Sequence, residues 1–187
     1  MLEIITGDVE LFDSVAEEFV TVKSAKLQLE HSLISVKKWE QKWHKPFLDK
    51  TVDKTREEMC DYVRCMTINA GVDPVVYRVL TPQIMERILK YMEEPMTATT
   101  INENLLTISG LKKNSREGVT AEIIYYWMIA LSIPVDPFEK WHLNQLLTLI
   151  KVVNIKNGKQ PKLNPKDAAK ERAALNKQRR ARFKSKG

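Results

Sequence analysis

The spacing of apolar residues changes once along the chain, near Ser32, and that change limits the architectures open to it. Before it the pattern is that of short strands. LEIIT at 2–6 runs up to the turn signal Gly7-Asp8, and FVTVK at 19–23 and KLQLE at 26–30 alternate apolar with polar residues. After it the period is helical. Leu33, Val36, Trp39 and Trp43 recur on one stripe, and Pro46 ends the segment. Strands this short form a small antiparallel sheet or hairpin that needs helices behind it to be stable.

The helical half carries its own start and stop signals. Thr55 stands as an N-cap with Glu58 three residues on, a reciprocal capping box, ahead of Met59, Tyr62, Val63 and Met66, with Asn69-Ala70-Gly71 as the stop. Thr81-Pro82 opens the next helix, with an apolar stripe of Ile84, Ile88, Leu89 and Met92, and Pro95 closes it. Residues 96–116 are polar and irregular and read as a mobile loop, with room for a short strand around 105–108. A helix over 120–133 is apolar on nearly every side, which predicts a central position. Asp136-Pro137-Phe138-Glu139 repeats the cap logic and predicts a helix starting there and carrying Trp141, Leu146, Leu149, Ile150 and Val153. Asn164-Pro165 opens a last helical segment over about 165–183.

Charge divides the chain at a different place. The 187 residues have a formal net charge of +6, but residues 156–187 hold 12 Lys and Arg against 2 Asp and Glu, a balance of +10. Residues 1–155 therefore carry 18 basic against 22 acidic side chains, a balance of −4. The expected fold class is α+β and mostly α, with a small N-terminal antiparallel hairpin or sheet packed on a bundle of about five helices. Residues 1–155 are expected to form one globular domain, β-rich over 1–31 and helical over 32–155. Residues 156–187 form a basic tail, helical or disordered when free. Its only large apolar residues between 166 and 184 are Leu175 and Phe183, too narrow a stripe to pack into a core unaided.

Several function classes find no residues to support them. With 43% hydrophobic and 29% charged residues the composition is that of a globular protein, and 2 cysteines cannot make a disulfide scaffold. No signal-peptide pattern opens the chain, and the most apolar run, 123–135, is shorter than the roughly 20 residues a membrane span needs. The expected location is a reducing cytoplasm. His31, His44 and His142 sit in unrelated segments with no HExxH spacing, and read as helix-end or core residues. Cys60 and Cys65 lie about 140° apart on their helix and form no CxxC pair. No P-loop, GxGxxG or GxSxG is present. The expectation is a protein that is not an enzyme, with no metal, no cofactor and no small-molecule substrate.

The candidate binding residues are therefore those suited to a macromolecule. Trp39 and Trp43, one helical turn apart, read first as a core stripe, and either can also serve as a partner anchor. The tail has its densest charge at Lys177, Arg179, Arg180, Arg182 and Lys184 around Phe183. Three readings stand for it: docking on an acidic partner, contact with nucleic-acid phosphates, or solubilising charge.

Particular strings narrow these readings. LQLEHSL at 27–33, KWEQKW at 38–43, KPFL at 45–48, the segment 54–67, PMTATT at 95–100, AEIIYYWM at 121–128, WHLN at 141–144, and ALN at 174–176 with Arg179-Arg180 together resemble the tail assembly chaperones of long-tailed, siphovirus-like bacteriophages. The resemblance runs over almost the whole chain and includes no catalytic motif. It implies a non-catalytic protein of the host cytoplasm, absent from the mature virion, that binds the tape measure protein and keeps it soluble during tail assembly. It also implies weak self-association, a folded platform over 1–155, and a part for 160–187 in engaging the partner. A structural virion protein of the tail or head–tail junction is the alternative, and a nucleic-acid-binding protein acting through the tail is the third reading.

Overall fold

The computed structural model describes residues 1–13, 17–99 and 118–157. The expected loop beyond residue 99, its strand at 105–108, and the tail with Lys177, Arg179, Arg180, Arg182, Phe183 and Lys184 lie outside these residues. What is described is α+β and mostly α. Four strands, β1 (Leu2–Ile5), β2 (Val9–Asp13), β3 (Glu18–Val22) and β4 (Lys26–Leu29), precede five helices. These are α1 (Leu33–Trp43), α2 (Arg56–Met66), α3 (Pro82–Glu93), α4 (Ala121–Ala130) and α5 (Leu143–Asn157). Two 3₁₀ turns, Pro74–Val79 and Phe138–Lys140, link them.

The strands form two nested antiparallel pairs that behave as one ribbon. β1 pairs with β4 from Leu2↔Leu29 to Ile5↔Lys26, and β2 pairs with β3 from Val9↔Val22 to Asp13↔Glu18, so the break costs neither strand a residue of register. Gly7-Asp8 is accordingly a joint, and the chain does not reverse there. Residues opposite it supply the missing ladder bonds. Thr6 N–H donates to Ala25 O at 3.0 Å, Ala25 N–H to Thr6 Oγ1 at 2.9 Å, Ser24 N–H to Asp8 Oδ1 at 2.6 Å, and Ser24 Oγ–H to Thr6 O. The buried set is Ile4, Thr6, Leu27 and Leu29 on the near side of the joint, and Val22 beyond it.

One hydrophobic cluster runs from Ile4 to Ile150 and joins every helix to the ribbon. α1 contributes Leu33, Val36 and Trp39, α2 contributes Tyr62, Val63 and Met66, and α5 contributes Leu143, Leu146 and Ile150, each set on one face at helical spacing. Its aromatic centre is Phe47 stacked on Tyr62 with ring centroids 3.7 Å apart, and Trp39 edge-on to Phe47 at 5.0 Å. The Thr55–Glu58 capping box forms as the sequence predicts, Glu58 N–H reaching Thr55 Oγ1 at 3.2 Å and Thr55 N–H reaching Glu58 Oε2 at 2.8 Å. Thr81 likewise caps α3, accepting from Ile84 N–H at 3.3 Å.

Two expectations are corrected. The helix expected from residue 137 begins instead at Leu143, and residues 138–140 make only a 3₁₀ turn, with no side-chain hydrogen bond at its N-cap. Asp136 Oδ1 takes Lys140 Nζ, and Glu139 Oε2 accepts the Tyr125 hydroxyl at 2.7 Å. The chain at Trp141-His142 is then held extended by a bridge from His142 to Ser32 and by Leu143 N–H donating to His31 O at 2.7 Å. Second, α4 is not central. It buries Ala121, Ile124 and Met128 and leaves Tyr126 and Ile129 exposed.

Candidate partner-binding surfaces

The two tryptophans of α1 part company. Trp39 is enclosed in the core, its indole N–H donating to Glu58 O at 2.8 Å, so it stands in the core stripe and offers no surface anchor. Trp43, four residues on, sits half-buried at the seam with α2. Its indole N–H donates to Asp61 Oδ2 at 2.8 Å, while Asp61 Oδ1 takes Lys42 Nζ and Arg64 Nε, each at 2.8 Å. Burial works against the Asp61 carboxylate, but Arg64, Lys42 and Trp43 outweigh it and hold its pKa below the usual value. The Lys42 ammonium also lies 5.0 Å over the Trp43 ring. Trp43 is thus a fixed, partly exposed aromatic in a cationic rim. The tail residues Lys177, Arg179, Arg180, Arg182, Phe183 and Lys184 are outside the described part of the chain.

The larger apolar surfaces lie elsewhere, at residues that periodicity alone assigns to a core or a strand. On α4, Tyr126 is 64% exposed and Ile129 69% exposed, on the face opposite Ala121, Ile124 and Met128. On the distal ribbon, Phe12 and Phe19 are cross-strand partners with ring centroids 5.1 Å apart, 51% and 71% exposed, beside the half-exposed Val20. A groove of about 480 Å³ runs from Val20–Lys26 to the segment 69–76 at the base of this ribbon. Single exposed apolar residues are ordinary, but an aromatic pair and a tyrosine–isoleucine pair on rigid elements are the usual materials of a protein-binding surface.

The buried titratable groups form a separate chain. His31 and His142, distant in sequence, meet with ring centroids 5.3 Å apart. His31 Nδ1 lies 2.5 Å from the Tyr62 hydroxyl, and Tyr91 hydroxyl donates to Glu30 Oε1 at 2.6 Å. Burial raises the Tyr62 phenol far above its usual value, so it keeps its proton and donates to His31. Burial, with His142 nearby, lowers His31 from 6.5 to about 3. His142 is lowered too, again by burial, and both its nitrogens are used by the neutral ring. Nδ1 accepts from Asn144 N–H at 3.3 Å and Nε2 donates to Tyr91 O at 3.1 Å. Each histidine stands one or two residues ahead of the first helical residue of α1 or α5, which is a helix-entry position; their meeting is tertiary and has no sequence signal.

Among the described residues no group of three or more His, Cys, Asp and Glu side chains is placed to hold a metal ion. Cys60 and Cys65 are buried, and burial raises the Cys65 thiol away from the reactive thiolate. No helix among the described residues is long and apolar enough to cross a membrane. Comparison with protein-family models, curated proteins and solved structures found no match to this chain.

Proposed function

We propose that this protein is a non-catalytic tail assembly chaperone that binds the tape measure protein and keeps it soluble in the host cytoplasm while a phage tail is built. The observation that carries this reading is the outer face of α4. Its inner face is fixed by Ala121, Ile124 and Met128, and its outer face presents Tyr126 and Ile129 to solvent. A client that is long, helical and prone to aggregate needs apolar anchors on a surface that does not itself collapse. The distal ribbon and the Trp43 rim supply further aromatic contacts. The tail, with Lys177, Arg179, Arg180, Arg182, Phe183 and Lys184, supplies charge for client segments rich in Asp and Glu. No cofactor, small-molecule substrate or membrane has a part in it.

Coexpression with the tape measure protein of the same genome tests the reading. Soluble tape measure that copurifies with this protein supports it, and an insoluble tape measure with no copurification sinks it. A protein retained in purified virions would instead be the structural tail or head–tail component that the sequence also admits. Binding to DNA or RNA that falls steeply with salt would favour the nucleic-acid reading.

A further inference from the structure

The distal ribbon is unusual in charge as well as in exposure. Residues 8–22 carry Asp8, Glu10, Asp13, Glu17 and Glu18 and no lysine or arginine. The β2–β3 register pairs Phe12 with Phe19 and Glu10 with Thr21, so Glu10, two residues from Phe12, shares the face of the exposed aromatic pair, while Glu18, one residue from Phe19, borders it from the other face. Among the described residues no cation pairs with Glu10, Glu17 or Glu18; the ion pairs of the described chain involve Glu3, Glu30, Glu58, Asp61 and Asp136. Among the described residues, this acidic end of the ribbon, with its exposed aromatic pair, thus has no paired cation at those three glutamates.

The counter-charge is present in the sequence. Residues 158–187 hold 11 Lys and Arg against 2 acidic residues, with Leu175 and Phe183 as their large apolar residues from 166 onward. We propose that the distal ribbon is the docking site of the chain's own residues 158–187, which pair their cations with its carboxylates around the Phe12–Phe19 pair. The 30 residues after Asn157 can span up to about 100 Å when extended, several times the radius of a domain of this size. A tether of that length holds the segment at an effective concentration of roughly millimolar, well above that of a second copy in dilute solution. Ribbon-to-ribbon pairing of two copies is opposed by the same five carboxylates. The inference rests on the charge and register of the ribbon and stands apart from the chaperone reading. If both hold, a client must displace the segment, so docking keeps the apolar pair covered until one arrives.

Zero-length carbodiimide coupling of the full-length protein, followed by peptide mass spectrometry, reads the contact directly. An equal mixture of ¹⁴N and ¹⁵N chains separates links within one chain from links between two. Amide links from Glu10, Glu17 or Glu18 to Lys177, Lys184 or Lys186 within one chain are expected. Their yield should fall about fivefold or more when salt rises from about 0.05 M to about 0.5 M, which shortens the screening length roughly threefold. The variant R179E/R180E/R182E keeps those lysines and should lower the same links comparably. F12S/F19S keeps the carboxylates and should lower them severalfold, its fold checked by circular dichroism. Absence of ribbon-to-tail links, links found only in mixed-isotope pairs, or a yield indifferent to both salt and the arginine variant would each overturn the proposal. None of these readouts involves the tape measure protein.

Discussion

His31 shows how much of this core depends on one hydroxyl. Its ring is almost wholly enclosed, and its Nδ1 has the Tyr62 hydroxyl as partner at 2.5 Å. In Y62F the ring volume is kept and the donor is lost, leaving a buried acceptor unsatisfied at a cost of about 1–3 kcal/mol. Urea unfolding at neutral pH measures that difference; a loss under about 0.5 kcal/mol would mean water replaces the hydroxyl. Acid acts on the same site with a definite sign. His31 is held at about 3 in the folded chain against 6.5 ordinarily, so between those values the unfolded chain binds a proton that the folded chain does not. Stability is then undiminished above pH 6.5 and falls as pH drops below it, by up to about 1.4 kcal/mol per pH unit for this ring. His142 adds in the same direction, and Asp61, held below its usual value, adds its own loss at lower pH. Glu40, raised by burial, works the other way and offsets part of this. Urea midpoints compared at pH 7.5 and pH 5 should differ clearly, and equal midpoints would show that the histidines are solvated.

At the scale of elements, one carboxylate does the joining that local sequence does not. Thr120 stands at the N-cap of α4 without a side-chain hydrogen bond. Glu40, from the last turn of α1, supplies it instead. Its Oε2 accepts from Ala121 N–H at 2.8 Å and its Oε1 accepts from Phe47 N–H at 2.8 Å. Glutamine offers one oxygen and turns an NH₂ toward the second donor, so E40Q should lose about 1–3 kcal/mol. The loss should be joined by faster amide exchange in the first turn of α4. Retention of wild-type stability would mean the side chain rotates away without cost. Such long-range capping explains where a sequence reading succeeds and fails here. The Thr55–Glu58 box and the Thr81-Pro82 start are local signals and were readable as written. Glu40 reads as one more polar residue of a helix, because its partner is 81 residues away. Asp136-Pro137-Phe138-Glu139 carries a helix-start signal that yields only a 3₁₀ turn, because the bridge from His142 to Ser32 and the bond from Leu143 N–H to His31 O hold the next residues extended. Gly7-Asp8 looks like a hairpin turn until Ser24 and Thr6 are seen bridging it. Of the candidate site residues, Trp39 fits the core-stripe reading and Trp43 alone of the pair reaches the surface.

At the scale of the molecule, the division that matters is between surfaces that hold the fold together and surfaces that do not. Nearly every side chain on α4 is apolar, which marks it as buried, yet Tyr126 and Ile129 are exposed and lie outside the hydrophobic cluster. This separates stability from binding in one variant. Y126S/I129S removes two exposed apolar side chains from positions outside the hydrophobic cluster. Surface changes of this kind usually alter stability by about 0.5 kcal/mol or less. If α4 presents the client anchor, the variant should unfold at the wild-type urea midpoint yet recover several times less soluble tape measure protein on coexpression. A change at an exposed apolar residue on another helix, L89S on α3, where Leu89 is 44% exposed, serves as the control and should leave recovery unchanged. Equal recovery with Y126S/I129S would remove α4 from the binding surface and leave the distal ribbon, the Trp43 rim and the basic segment as the surfaces still to be mapped. A lowered midpoint would show that this face packs in solution, and the chaperone reading would then lose the observation that carries it.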